Sequence, residues 1–148
     1  NHFIAAFGRS SSCWLVWDKD NGNTQYADCE LAWTSFPGAV RKFKYLWAGM
    51  RQEKQGAGHQ YRIHPCEKPI ALYAWIFSRY AKPGDRILDT HLGSGSSRIA
   101  AYDAGLDFVG CEIDPYYFKA QEGRFQEHTA QKNLFLQIEA AEEMDHAQ

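Results

Sequence analysis

Residues 64–128 predict an α/β fold built on parallel strands. Three observations carry that reading. Segments of helix and strand character alternate along the stretch, a glycine-bearing turn joins one strand directly to a helix, and each of the two strands ends on an acidic residue. In an open α/β sheet, ligands bind at the carboxyl ends of the strands, where such a turn lies.

The elements follow in order. Residues 1–47 read as β-rich. His2–Phe7 is apolar, and Cys13-Trp14-Leu15-Val16-Trp17 is a strand candidate. Asp18-Lys19-Asp20-Asn21-Gly22-Asn23 ends it with turn chemistry, Asn-Gly being the sharpest element. Glu30–Phe36 and Lys42–Trp47 are further strands, separated by Pro37-Gly38. Residues 48–63 form a polar, glycine-containing loop that carries Arg51, Lys54, His59 and Arg62. It reads either as a solvated linker or as a segment whose basic residues meet an anionic partner. Pro69 suits the first turn of a helix that continues to Tyr80, with Ile70, Tyr73, Ala74, Phe77 and Tyr80 on one face. Arg86-Ile87-Leu88-Asp89 is a short strand and Ser96 to Ala104 a helix, with Gly105 at the C-terminal cap. Asp107–Glu112 is the next strand. Pro115 opens a helix to about His128. Residues 129–148 form a C-terminal tail, weakly apolar and then acidic.

Bulk properties bound the function. The 148 residues, 45% hydrophobic and 23% charged, suffice for one domain with a core. A net charge of −2 supplies no global basic field, so any nucleic acid must be met by a local patch. Aromatics reach 15%, which fits a core before it fits a ligand platform. Cys13, Cys29, Cys66 and Cys111 form no C-x-x-C pair, so neither zinc nor a disulfide framework is indicated, and reduced thiols suit a cytoplasmic protein. The longest apolar run, Ile70–Phe77, is far below the ~20 residues that cross a bilayer, so no membrane role is expected.

The central chemical feature is Asp89-Thr90-His91-Leu92-Gly93-Ser94-Gly95-Ser96. Gly93 and Gly95 permit a tight turn and close approach of a ligand, and the helix that follows offers free N–H groups. No G-K-[ST] follows, so this is not a phosphate-binding loop of the Walker type. Arg98 stands where a full G-x-G-x-x-G has its third glycine. Alone the turn is a weak signal, and a structural turn is the alternative. Glu112 adds weight: 17 residues after Gly95, at the end of the next strand, an acid can accept both hydroxyls of a ribose. A solvated strand-end glutamate is the plainer alternative.

Three segments together resemble the DNA amino-methyltransferases that modify the exocyclic amine of adenine or cytosine. His64-Pro65-Cys66-Glu67-Lys68-Pro69 resembles their H-P-x-x-K-P motif, and Asp89–Ser96 their D-P-F-x-G-S-G-T loop. Gly110-Cys111-Glu112-Ile113-Asp114-Pro115-Tyr116-Tyr117 resembles their G-x-E-x-x-x-x-Y segment. The match covers residues 62–125. Thr90-His91 departs from the usual Pro-Phe, and His91 either sits near the cofactor or is merely tolerated there.

The resemblance implies a Rossmann-like methyltransferase fold dependent on S-adenosyl-L-methionine. It implies that His64, Pro65, Lys68 and Pro69 help enclose the methionine end. Asp89, Thr90, His91, Leu92, Gly93, Ser94, Gly95 and Ser96 form the cofactor loop. Glu112, Ile113, Asp114 and Tyr117 hold ribose and adenine. No metal is expected.

The motif order resembles the family's permuted arrangement, in which the catalytic D-P-P-Y segment comes first. Trp14–Trp17 with Asp18-Lys19 then looks like the W-x-K element, and Glu30-Leu31-Ala32-Trp33 like a later strand. The D-P-P-Y motif is therefore expected upstream of Asn1, and the fold is expected to be incomplete at its N-terminus. The lone Asp114-Pro115 belongs to the ribose region. The implied partner is DNA, in a bacterial or phage setting of the restriction–modification type, and a homodimer is compatible with it. Arg41, Lys42, Lys44, Arg51, Lys54 and Arg62 are the candidate DNA contacts, Phe43 and Tyr45 interleaving with the first three. A solvated strand face is the alternative. Two other functions stay open: transfer of the methyl to another substrate, and a non-catalytic nucleotide-binding partner subunit.

Overall fold

The computed structural model describes residues 10–22, 24–48, 51, 52 and 62–146. The chain divides into two compact units, residues 1–60 and 61–148. His2–Phe7, Lys54 and His59 lie outside the described residues.

In the first unit a three-stranded sheet has the order β2-β1-β3, with β1 at Leu15–Asp18, β2 at Cys29–Ala32 and β3 at Arg41–Lys44. The central strand pairs antiparallel with β2 (Val16 opposite Leu31) and parallel with β3 (Val16 opposite Lys42). Its alternation explains the central place: Leu15 and Trp17 are buried while Val16 and Asp18 are half-buried. The turn after β1 is held by Asn21, whose side-chain amide donates to the Ala27 carbonyl, and by Asp20 and Gly22 at positive φ. β2 is shorter than the expected 30–36. Beyond it Thr34 turns inward and donates its hydroxyl to the Cys13 carbonyl. The expected 42–47 strand divides into β3 and β4 (Trp47–Ala48). β4 pairs antiparallel with β5 (Arg51–Gln52), so a short ladder enters what reads by sequence as loop alone. Polar residues carry no apolar alternation by which a two-residue strand could be recognised.

The second unit contains helix α1 (Ile70–Tyr80), strand β6 (Arg86–Asp89), helix α2 (Ser96–Asp103), strand β7 (Asp107–Gly110) and helix α3 (Pro115–His146). β6 and β7 pair parallel, Ile87 opposite Phe108 and Asp89 opposite Gly110, with α2 as the crossover. The core lies where α1 and α2 cover one face of this pair. Phe77, Ala100 and Ala101 are buried there, with Ile70, Tyr73, Ile76, Ile87, Leu106 and Phe108 packed around them. Alanines on α2 allow close approach of α1. Ile99, 1% exposed, anchors the same helix, a burial that contributes about 1.5–3 kcal/mol.

Three expectations are corrected here. Pro69 is the N-cap residue of α1 and not part of its first turn, and its fixed φ of −66° directs the chain into the helix. Ala74 is exposed, while Leu72 is buried in its stead. α3 does not stop near His128. Residues 124–146 hold no glycine or proline, and the Ala, Glu, Gln and Lys that dominate the stretch are strong helix formers.

Candidate cofactor site

The site is assembled at the carboxyl ends of β6 and β7. Asp89 closes β6, and its carboxylate accepts the His91 N–H (3.0 Å) and the Ser97 hydroxyl (2.5 Å). The strand end is thereby tied to the first turn of α2. Between them the chain turns through Gly93 at φ +54° and Gly95 at φ +74°. A side chain is strained at either position. At Gly95 a Cβ would also lie 3.1 Å from Gln121 of α3. Gly95 is the N-cap of α2 and provides no side-chain cap, so the helix presents its first-turn N–H groups toward the turn.

Glu112 follows β7. Its Oε2 accepts the Gly93 N–H at 2.7 Å and its Oε1 the Asp114 N–H at 3.0 Å. These backbone bonds, that from Asp114 foremost, hold its pKa below the ordinary 4.5. The carboxylate bridges the glycine turn and the start of α3, and each oxygen keeps a second lone pair for a further donor. The close approach of β7 to the turn requires Gly110, where a Cβ would lie 2.9 Å from the Phe108 ring and 3.0 Å from Leu92.

His64 packs against Gly93, 3.5 Å from where a Cβ would stand, and meets Tyr117 edge to face at 4.4 Å. Its Nδ1 accepts the Cys66 N–H, which fixes the ring over the turn. Lys68 donates to the Cys66 carbonyl, Pro69 is buried and Pro65 is exposed. Asp114 has a structural duty: its Oδ1 accepts the N–H groups of Tyr116 and Tyr117, capping α3 with Pro115 in the first helical position. Ile113 is 98% exposed beside it. Thr90 and His91 are both exposed, their side chains 2.9 Å apart. The structure thus brings the glycine turn, Glu112, His64 and Tyr117 together.

The candidate DNA residues belong to other segments of the chain, most of them to the first unit. Arg41, Lys42 and Lys44 are exposed on β3, where Lys42 pairs with Asp18 (3.2 Å) and Lys44 with Asp20 (2.9 Å). Arg51 falls in β5 and Arg62 is exposed before α1. Among the described residues no group of His, Cys, Asp and Glu could hold a metal ion, and no helix is long and apolar enough to cross a membrane.

Sequence reading missed a polar layer beneath the turn. Gln121 is buried against Gly95, and Arg98 reaches both Gln121 (3.0 Å) and Glu122. Arg124 donates to the Ser94 carbonyl (2.8 Å) and the Ser96 hydroxyl (2.9 Å). The available signal was helical spacing: Tyr117, Gln121 and Arg124 stand at i, i+4 and i+7 on one face of α3.

Comparison with known proteins decides the family. The family described as DNA methylase (N6_N4_Mtase) matches residues 13–123. The chain belongs to the DNA methylase family. Among curated members it is similar to the DNA adenine methyltransferase YhdJ of Escherichia coli K12. The two are 38% identical over 60 residues, covering 40% of this chain and 20% of the relative. It is also similar to the type II methyltransferase M2.DpnII of Streptococcus pneumoniae, 32% identical over 88 residues, covering 58% of this chain and 31% of the relative. The chain therefore matches about a fifth to a third of the length of these relatives. Among solved structures, the M1.HpyAVI–SAM complex aligns with a TM-score of 0.55 at 24% identity, covering 75% of this chain and 60% of the other. TTHA0409 of Thermus thermophilus aligns with a TM-score of 0.53 at 18% identity, covering 84% and 57%. The fold is that of a Rossmann-like methyltransferase.

Proposed function

We propose that the protein carrying these residues transfers a methyl group from S-adenosylmethionine to the exocyclic amine of adenine in DNA, the cytosine amine being the alternative target. The observation that carries the reading is the Glu112 carboxylate, tied to the Gly93 amide at the end of β7. Its remaining lone pairs suit the two ribose hydroxyls.

The residues fit this cofactor in further respects. The turn at Gly93 and Gly95 lacks side chains where a ligand must approach, and the start of α2 attracts a carboxylate. His64 and Tyr117 offer aromatic surface beside the turn. The bound sulfonium supplies a methyl already activated for transfer. Glu112 and Tyr117 would hold its nucleoside, with Asp89, Thr90, His91 and the glycine turn against its amino-acid end. His64, Pro65, Lys68 and Pro69 would close over it and exclude water. Ile113 would lie along the adenine and Asp114 would set the start of α3 there.

DNA contact is supported by the exposed basic residues of β3. Arg41 stands in water, and Lys42 and Lys44 would exchange aspartates for phosphates. Exposed ion pairs contribute only about 0–1 kcal/mol, so the exchange costs little. Arg51, Lys54 and Arg62 are the further cations that this reading assigns to phosphate contact. The acceptors that make an aromatic amine nucleophilic belong to the family's D-P-P-Y segment.

The test is transfer of tritium from methyl-labelled S-adenosylmethionine to duplex DNA by the intact protein, with the labelled nucleoside identified after digestion. N6-methyladenine is expected. Label in N4-methylcytosine would move the target to cytosine, and label in RNA or protein but not DNA would overturn the substrate.

A further inference from the structure

The pair Arg124–Glu67 lies outside every role given to the site so far, although it touches two of its three segments. Arg124 comes from the third turn of α3 and passes beneath the glycine turn. One terminal nitrogen donates to the Ser94 carbonyl and the Ser96 hydroxyl, and the other stands 3.4 Å from Oε1 of Glu67. The Glu67 side chain has no exposed surface and that of Arg124 only 12%. Glu67 is itself held by the Ile63 N–H at 2.9 Å, and its own N–H donates to the His64 carbonyl. The same short turn thus sets His64 against Gly93 and Glu67 against Arg124.

Burying a guanidinium is costly, and one whose two terminal nitrogens are directed at one loop and one carboxylate fixes their separation. We propose that Arg124 is a positioning residue for cofactor binding, locking the glycine turn to the His64–Pro69 turn so that both walls of the site have one geometry. Glu67 has no exposed side-chain surface with which to meet a ligand, and Arg124 spends its donors on Ser94 and Ser96. Its effect passes through Ser94 and Ser96 on one side and His64 on the other. The proposal rests on the reading that S-adenosylmethionine binds this site.

A merely structural role for the pair would lower stability and leave affinity in the folded protein unchanged. Asp103 provides the control. It joins α2 to α3 through His128 (3.0 Å) and Lys132 (2.9 Å), away from the turn. The experiment measures S-adenosylmethionine affinity by calorimetry, with Tm alongside, for the intact wild type and for Arg124→Met, Arg124→Lys, Glu67→Gln and Asp103→Asn. Arg124→Met is expected to weaken affinity about tenfold or more, the range expected for losing hydrogen bonds from a charged donor. Arg124→Lys should recover part of it, and Glu67→Gln should weaken it less than Arg124→Met. Asp103→Asn should lower Tm with affinity unchanged. Affinity retained in a folded Arg124→Met, or in Arg124→Lys and Glu67→Gln should that variant not fold, overturns the proposal while leaving the binding site intact. Absence of binding in the wild type would instead overturn the reading on which it rests.

Discussion

At the scale of single residues, Glu112 is the candidate that the sequence nominates most directly. Its place after a strand and 17 residues beyond Gly95 was enough to nominate it. Its two backbone partners were not readable, because Gly93 and Asp114 meet it only through the tertiary turn. Those amides depress its pKa below 4.5. A depressed carboxylate contributes stability that is fully present above its unfolded pKa and is lost as pH falls through the folded value. Glu112→Gln, which cannot lose a charge, should therefore differ from wild type by a constant Tm offset above pH 4.5. The offset should shrink as the pH is lowered further. An offset unchanged down to pH 3, roughly an unperturbed carboxylate below its pKa, would remove Glu112 from this role. Arg124 was not legible as a site residue. A lone arginine in an amphipathic helix reads as solvated, and only the fold turns it beneath Ser94.

At the scale of elements, α2 and β7 were readable because their sequences agree with their surroundings. Gly105 follows the helix at φ +67°, and Ile87 and Phe108 fall on the face covered by α1 and α2. The helix α1 shows the limit of periodicity: Ala74 fits the apolar stripe by spacing, yet Leu72 is the buried residue. A small side chain adds little area, so it does not decide which face turns inward. Two glycines now separate crowding from propensity. Gly110→Ala places a methyl within 2.9–3.1 Å of Phe108 and Leu92, and overpacking of this kind costs about 1–3 kcal/mol. Gly123 lies inside α3 with nothing within 4 Å, so Gly123→Ala should stabilise by about 0.5–1 kcal/mol. Urea midpoints moving in opposite directions would bear this out, and a neutral Gly110→Ala would show that β7 does not press on the turn.

At the scale of the whole molecule, the α/β class followed from alternating elements, and the family followed from three motifs in order. Neither depended on the net charge of −2. The first unit was the harder part to read. Its strands are short and mixed in direction, and β5 has no apolar pattern at all. The basic strand β3 shows why charge alone did not define a DNA face, since Lys42 and Lys44 already face aspartates. The second unit carries the central claim, which is that the glycine turn and Glu112 together bind S-adenosylmethionine. Calorimetric titration of the intact protein tests it most directly. The account predicts saturable binding that Glu112→Ala weakens about tenfold or more while the fold is retained. Wild-type protein that gives no binding, or a folded Glu112→Ala that binds as tightly as wild type, would contradict it.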